Sequence, residues 1–471
     1  MSNITPPFQA LPASASTGRP AATWVLPVAV AFFCLSVGCF LFHFILFRYS
    51  IPPNNVDESS FFSPAQNLAE NGVFSSPVHE GFLPGAGRYT YWMPPLYMLL
   101  LAGIFKIFGA TVFNAKLLTF ILIGLSAFLI TLLSKDRYVK ICLAGLFLVC
   151  PYIITSSAFI RMEGLALLLT TASIVAVKFR VGPHWLGILA GLMALTHPML
   201  VPGCAALAFH VWRRDIRSFI VFCLLALVTV SPYLIYILQD LPVYKAQMGL
   251  QLARKAHKRL SNLKLDYVVQ FVPLSLLALF ALVKLRGAAE LRIFLGVGLL
   301  LTMLLVLKSD EYNYQVYVMP FIIAVTGLVL DEKGAQAVYR YVLPVAIYGV
   351  FGVFLVAKLV KYRFRDDRPY HEMINYLQAN RDWQGKKIYV DGTPDIATFL
   401  MMNHQQVERR NAVATEIRDN ALDKYNYIIE VTDNGSKERF NIKDAPWQKW
   451  AFKKMFTTSD GNFTLESFST Q

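Results

Sequence analysis

The sequence has little charge. Asp, Glu, Lys and Arg make up 16% of its 471 residues, where an ordinary soluble domain carries about 25%. Hydrophobic residues make up 55%. A soluble core could not hide so many apolar runs, which excludes an ordinary globular protein of the aqueous phase. The six cysteines form no CxxC and no Cys/His metal-ligand spacing. All of them, Cys34, Cys39, Cys142, Cys150, Cys204 and Cys223, lie in apolar segments and read as small buried hydrophobes. The polar C-terminal part has no cysteine, no Gly-rich phosphate loop, no HExxH and no nucleophile elbow. That part therefore reads as a cap or an acceptor-binding module rather than a catalytic one. A cleavable signal peptide is not expected either, because residues 1–23 are rich in Ala, Ser and Pro without a basic n-region. No internal repeat is visible.

What is present is membrane-grade apolar sequence. The formal net charge of +14 reads as cytoplasmic loops obeying the positive-inside rule, not as a nucleic-acid surface. Residues 1–23 read as a disordered cytoplasmic tail and 24–47 as a retained first span. Further spans are expected at 113–133, 141–157, 164–177, 185–195, 199–211, 219–238, 267–283, 293–307, 316–330 and 341–359, about eleven in all. The pair 185–195 and 199–211 is short and broken around His197-Pro198. The segment 94–108 is short for a span and is placed in or near the interface. With that choice Lys135, Arg137, Lys178, Arg213, Arg214, Lys284, Arg286, Arg292 and Lys333 all fall inside. No charge is expected mid-span. Residues 361–471 read as a small soluble α/β domain on the outer face, with helices at 368–380 and 394–403 and strands at 386–391 and 425–431.

The outer loop 48–112 is polar, aromatic and rich in Pro and Gly. It opens on Asp57-Glu58, followed by a segment, 59–71, whose apolar spacing suits an amphipathic helix on the membrane surface. Adjacent carboxylates at a membrane face suit acid/base chemistry; the plain alternative is a helix N-terminus, where acids are favoured. Arg161-Met-Glu163 stands at the outer end of a hairpin between spans. It reads as a second carboxylate aimed at the same cavity, or as a local ion pair. Tyr312, Tyr314 and Gln315 precede a span, either as an interfacial belt or, with Lys308 and Asn313, as a sugar or phosphate site. The loop 239–266 carries Lys245, Arg254, Lys255, Lys258, Arg259 and Lys264 against the charge rule. It is either a solvated basic face or a lid recognising a lipid phosphate. His197 and His79-Glu80 read as structural or as polar site groups.

The order of these features resembles the GT-C superfamily of polytopic glycosyltransferases. The matching stretches are Val56-Asp-Glu58, Tyr91-Trp-Met-Pro-Pro-Leu-Tyr97, Ile107-Phe-Gly109 and Phe159-Ile-Arg161-Met-Glu163. The branch they resemble contains dolichyl-phosphate-mannose protein mannosyltransferases and lipid A aminoarabinose transferases. The resemblance implies a mainly α, polytopic transmembrane bundle of about eleven spans with a small C-terminal α/β domain. It implies a polyprenyl-phosphate-linked sugar donor and a lipid, glycan or protein acceptor, with transfer on the outer face of a bacterial inner membrane. Catalytic roles fall on Asp57, Glu58 and Glu163, with Asp57 at the position of the family's base. Met93 stands where the aminoarabinose branch has a phosphate-binding Lys, which leaves Arg88, Arg161, Lys255, Lys258 or Arg259 for the donor phosphate. Tyr91, Trp92, His197, Tyr312 and Tyr314 are the substrate-binding candidates. No cofactor is required, and without a compact DxD no divalent metal is indicated. The rival readings are a lipid-linked glycan flippase, which predicts repeats and mid-span charge, and an O-antigen polymerase or ligase, which predicts its chemistry in a late loop.

Overall fold

Long apolar runs and capped breaks between them set the helices. The structure, a computed structural model, describes residues 25–47, 56–79, 83–256, 265–309, 312–332, 344–353, 355, 368–391, 400, 406–410, 427–433, 450–459 and 463–470. The helices are α1 (Val25–Phe47), α2 (Val56–Asn71), α3 (Leu96–Phe108), α4 (Val112–Thr131), α5 (Arg137–Val149), α6 (Pro151–Ser156), α7 (Glu163–Lys178) and α8 (Pro183–Ala194). They continue as α9 (Val201–Trp212), α10 (Ile216–Leu238), α11 (Leu241–Ala256), α12 (Leu265–Lys284), α13 (Ala289–Ser309), α14 (Met319–Asp331), α15 (Pro344–Val353) and α16 (Arg368–Ala379). Thr111 caps α4 by accepting the Asn114 N–H at 3.1 Å, and Asp215 caps α10 by accepting the Ser218 N–H at 2.7 Å. Pro151 and Pro183 open α6 and α8, where the missing N–H leaves no bond unmade.

The chain is a polytopic helical membrane protein. Five segments are long and apolar enough to cross a bilayer: Leu26–Leu46, Val112–Thr131, Ile216–Leu238, Ala289–Ser309 and Tyr314–Asp331. Their outward faces are apolar, as a lipid solvent demands: Leu35 and Phe42 on α1 and Phe128 on α4 are exposed. The other expected spans fall on α5 with α6, α7, α8, α9, α12 and α15, which do not reach that length and apolarity within the described residues. The expected break at His197-Pro198 is present as a short 3-10 turn, Pro198–Leu200, between α8 and α9.

Helices α8 and α10 pack most closely, through Gly187 and Gly191. A methyl added at Gly187 would run into the Phe222 carbonyl, and one at Gly191 into Thr229 and the Ala226 carbonyl. Small residues four apart let two backbones approach where no hydrophobic drive exists between helices. Gly187→Val is expected to lose about 1–3 kcal/mol by overpacking. Gly124→Ala, which meets open space, is expected to be neutral or stabilising. Thermal unfolding of the two purified variants checks the contrast.

One expectation is corrected here. The segment 59–71 is helical, but its apolar face is covered by protein rather than left for lipid. Phe61, Phe62 and Ala65 are buried, and so are Ser59, Ser60, Ser63 and Gln66 on the other side. Its apolar face packs on α3, with Phe62 against Phe105. Its polar face is taken by the turn Pro77–His79: Ser60 Oγ lies 3.0 Å from His79 Nε2, Ser76 Oγ lies 2.8 Å from His79 Nδ1, and Ser76 donates to Ser63 at 2.9 Å. Protein partners replace water along the whole stripe, so a polar face does not mean an exposed one.

The C-terminal part builds its own cluster. Strands β1 (Lys387–Asp391), β2 (Gln406–Arg410), β3 (Tyr427–Asp433), β4 (Trp450–Thr457) and β5 (Phe463–Thr470) form one sheet in the order β2-β1-β3-β5-β4. Pairing is parallel across β2, β1 and β3 and antiparallel across β3, β5 and β4. Met373 and Leu377 of α16 pack on Ile388, Val390, Ile429 and Leu465. Val78 of the first loop is buried in that same cluster, so the C-terminal part rests on the loop that holds α2. The expected helix 394–403 and the segments 1–23 and 361–367 lie outside the described residues, Leu400 excepted.

Candidate functional site

Four breaks in the bundle meet at one place. They are the first turn of α2, the run Tyr91–Tyr97 into α3, the start of α7, and the 3-10 turn Tyr312–Tyr317 beside the α8–α9 break. The Leu96 N–H donates to the Leu195 carbonyl at 2.9 Å, which locks the start of α3 to that break. Pro94 and Pro95 leave α3 with few donors to satisfy at its mouth, so the chain can turn there without an unmade bond.

The side chains at this junction are polar and buried. Glu58 is 1% exposed, Lys116 0%, Glu163 2% and His197 1%. Arg161 Nε lies 2.9 Å from Glu163 Oε1, so the local pairing of these two exists, and it exists inside the cluster rather than at a wet surface. The Tyr97 phenol lies 3.0 Å from Thr119 Oγ1 of α4. Gly164, next to Glu163, abuts Thr119 so closely that an added methyl would meet its side chain and carbonyl. The charges of both Glu163 and Glu58 reach the Tyr97 phenol. Those of Glu163 and Arg161 reach Tyr317. Phe61 stands edge-on to Tyr97 at 5.8 Å and against Trp92 at 5.7 Å, closing the apolar side.

His197 belongs to this junction. Its ring stacks on Tyr317 at 5.3 Å and meets Tyr314 edge-on at 5.4 Å. Nδ1 accepts the Met199 N–H at 3.0 Å. An accepting Nδ1 puts the proton of the neutral ring on Nε2, which makes His197 a donor. Two of the substrate-binding candidates, Tyr314 and His197, are therefore brought together. Tyr312 lies in the same turn, and its side chain is outside the described residues.

The remaining expected residues sort by place. Asp57 is in the first turn of α2 beside Glu58; its side chain is outside the described residues. Trp92 lines the junction. Tyr91 is fully buried with its N–H bound to Gln247 at 2.8 Å and its phenol donating to the Tyr236 carbonyl at 3.1 Å. Burial pushes that phenol up to about 12. It is a pin for α10 and α11 in a nest with Tyr89, Tyr236 and Tyr244, so its expected role as a substrate contact is replaced by an anchoring one. Arg88 is exposed, 3.9 Å from Asp240. Lys255 is on α11, which Gln247 ties to the first loop through the Pro84 and Tyr89 carbonyls, both at 3.0 Å. The Lys255 side chain and residues 258 and 259 lie outside the described residues.

Sequence reasoning missed Lys116. It sits inside Val112–Thr131, one turn from the start of that segment rather than mid-span, and is fully buried. The signal was present as a lone cation four residues into an apolar helix.

No family model matches the sequence, and no curated protein matches it. Solved structures do. The arrangement of helices and sheet is the GT-C fold of a polytopic membrane protein. ArnT from Cupriavidus metallidurans in the apo state aligns over 94% of this chain and 98% of its own, with a TM-score of 0.61 and 12% identity. The same protein bound to undecaprenyl phosphate aligns over the same shares with a TM-score of 0.61 and 13% identity. At that identity the likeness establishes the fold.

Proposed function

We propose that this protein is a membrane glycosyltransferase. It moves a sugar from a polyprenyl-phosphate donor to an acceptor hydroxyl at the outer face of the membrane, with inversion at the anomeric carbon. The observation that carries the reading is the convergence of the Asp57-Glu58 turn with Tyr97 and the buried Arg161–Glu163 pair, in a chain with the fold of ArnT. A neighbour of that fold binds undecaprenyl phosphate, which supports a lipid-phosphate donor.

In this reading Asp57 accepts the proton of the acceptor hydroxyl as its oxygen attacks the anomeric carbon. The bond from that carbon to the lipid phosphate oxygen breaks, and the phosphate leaves with the electron pair. It is already a stable anion, so it needs nearby positive charge rather than a general acid. Arg161 and the basic stretch 254–259 are the cations assigned to it. His197, through Nε2–H, and Tyr314 hold sugar hydroxyls. Trp92 gives the ring an apolar wall. No cofactor enters the mechanism.

Three measurements bear on this. The purified protein in vesicles is expected to release undecaprenyl phosphate from an undecaprenyl-phosphate sugar when an acceptor is supplied. Comparison of glycolipids and glycoproteins by mass spectrometry, with and without the gene, identifies that acceptor; identical profiles together with no release would remove the reading. Neutralising Lys255, Lys258 and Arg259 together is expected to raise the apparent donor KM and flatten its salt dependence. Unchanged donor kinetics would return this stretch to an ordinary solvated surface.

A further inference from the structure

A polar cavity stands at the end of the bundle away from the junction. It measures about 460 Å³, within the range of small-ligand sites, roughly 300–1,000 Å³. Arg286 and Arg292 reach it from around the start of α13, Asp331 and Glu332 from the end of α14, and Leu285 and Leu328 form the apolar part of its wall. Helix α13 runs 21 residues from this cavity toward the Tyr312–Tyr317 turn, about 30 Å at ~1.5 Å per residue. The cavity and the junction are thus a bilayer core apart. The charges sit at the wrong helix ends for helix stability, since an N-terminus favours anions and a C-terminus cations. Arg292 is in the first turn of α13, and Asp331 and Glu332 close α14. Glu290, the acid that suits the start of α13, pairs with Arg214 at 2.7 Å and does not line the cavity. Nor do the two signs cancel each other: among the described residues none of the four forms an ion pair. Glu332 Oε1 accepts the Arg286 N–H at 3.1 Å, and Asp331 Oδ1 accepts the Ser134 hydroxyl at 2.6 Å. The Arg292 guanidinium donates to the Leu285 carbonyl, with its Nε buried and unpartnered. Lys178, whose field reaches Asp331, donates to the Leu133 carbonyl. Each carboxylate keeps an oxygen, and the guanidiniums keep donors, for a ligand.

We propose that this cavity binds the head of a phosphatidylethanolamine, a zwitterion of one phosphate diester and one primary ammonium. The phosphate takes Arg286, Arg292 and the start of α13, where guanidinium forks and helix N–H groups suit it. The ammonium takes Asp331 and Glu332, where its N–H donors meet carboxylate oxygens and the end of α14. Leu285 and Leu328 give the glycerol end an apolar wall. A phosphocholine head is disfavoured. It has no N–H to give, and among the described residues no aromatic ring lines the cavity to hold a quaternary ammonium. A singly anionic head such as phosphatidylglycerol meets two carboxylates and has no ammonium to offer them. No step of sugar transfer runs through this site.

The test uses the full chain in nanodiscs of equal parts phosphatidylethanolamine, phosphatidylcholine and phosphatidylglycerol. Native mass spectrometry reads the lipids that stay bound. The samples are wild type, Asp331→Asn/Glu332→Gln, Arg292→Gln, and Arg214→Gln as a control whose ion pair lies off the cavity. Wild type and Arg214→Gln are expected to retain phosphatidylethanolamine over phosphatidylcholine by on the order of tenfold, the worth of one charge-assisted hydrogen bond. The acid double variant keeps acceptors for Ser134 and the Arg286 N–H. It is expected to lose that preference and turn to phosphatidylglycerol. Arg292→Gln is expected to retain no phosphate head above the others. Wild type that holds phosphatidylethanolamine no better than phosphatidylcholine overturns the proposal, and so does an acid double variant with an unchanged preference. Thermal unfolding in detergent gives a second arm. Added phosphatidylethanolamine is expected to raise the Tm of wild type and not of the acid double variant; an equal rise in both overturns the site. Glycerophosphoethanolamine, the same head without its chains, separates the sources. A rise with the lipid alone supports the membrane source; an equal rise with the soluble head overturns it and leaves a soluble phosphoethanolamine ester as the ligand.

Discussion

Asp57→Asn is expected to collapse turnover while donor binding survives. Asparagine keeps the shape and much of the hydrogen bonding of the side chain but cannot take a proton. Loss of a general base typically lowers the rate by on the order of 10²–10⁴. Donor binding should hold or tighten, because removing a carboxylate near a phosphate relieves repulsion between like charges. The informative measurement is therefore a pair: single-turnover transfer, and equilibrium binding of the lipid-phosphate sugar by the same preparation. Turnover close to wild type would remove the base assignment from Asp57. Glu163 would be the next candidate, but its Oε1 already lies 2.9 Å from Arg161, and a carboxylate held by a guanidinium is a weaker base than a free one. Loss of binding together with turnover would point to a structural role for the first turn of α2.

Arg161→Met is expected to be the most destabilising substitution in the site. The two partners of this ion pair are 7% and 3% exposed. Breaking a buried pair by removing one member leaves the other charge without compensation and typically costs about 3–5 kcal/mol. Glu163→Gln should cost a similar amount for the same reason. Replacing both together should recover most of the stability, because apolar or neutral groups of similar volume fill such a site well. It should not recover activity. Thermal unfolding of the single and double variants measures the coupling directly. Additive losses would mean that the pair is solvated in the membrane-embedded protein, and Arg161 would then be free to serve the donor phosphate alone.

Much of the architecture was legible in the sequence. A chain with 16% charge and 55% hydrophobic residues has few ways to fold other than as apolar helices in lipid, and the motif order from Val56 to Glu163 pointed to a GT-C bundle before any geometry was known. Helix breaks were legible too. His197-Pro198 interrupts α8 and α9 as expected, because Pro gives no N–H to a helical ladder. The strands at Lys387–Asp391 and Tyr427–Asp433 were found near their expected bounds.

What only the tertiary structure decided is which polar side chains are wet. Period and composition gave α2 a polar face, and a polar face normally faces water. Here Ser60, Ser63, Ser76 and His79 close on one another, and the helix is buried on both faces from Glu58 to Gln66. Tyr91 and Trp92 are neighbours in sequence with the same interfacial character, yet Tyr91 pins α10 and α11 while Trp92 lines the junction. Lys116 could not be read as buried, since the helices that cover α4 come from elsewhere in the chain. Local sequence determines where a helix starts and how apolar it is, because those are short-range effects of backbone and side chain. The burial of a charge is a long-range fact. It depends on which helices the packing brings within a few ångströms, and that is set by the whole chain at once.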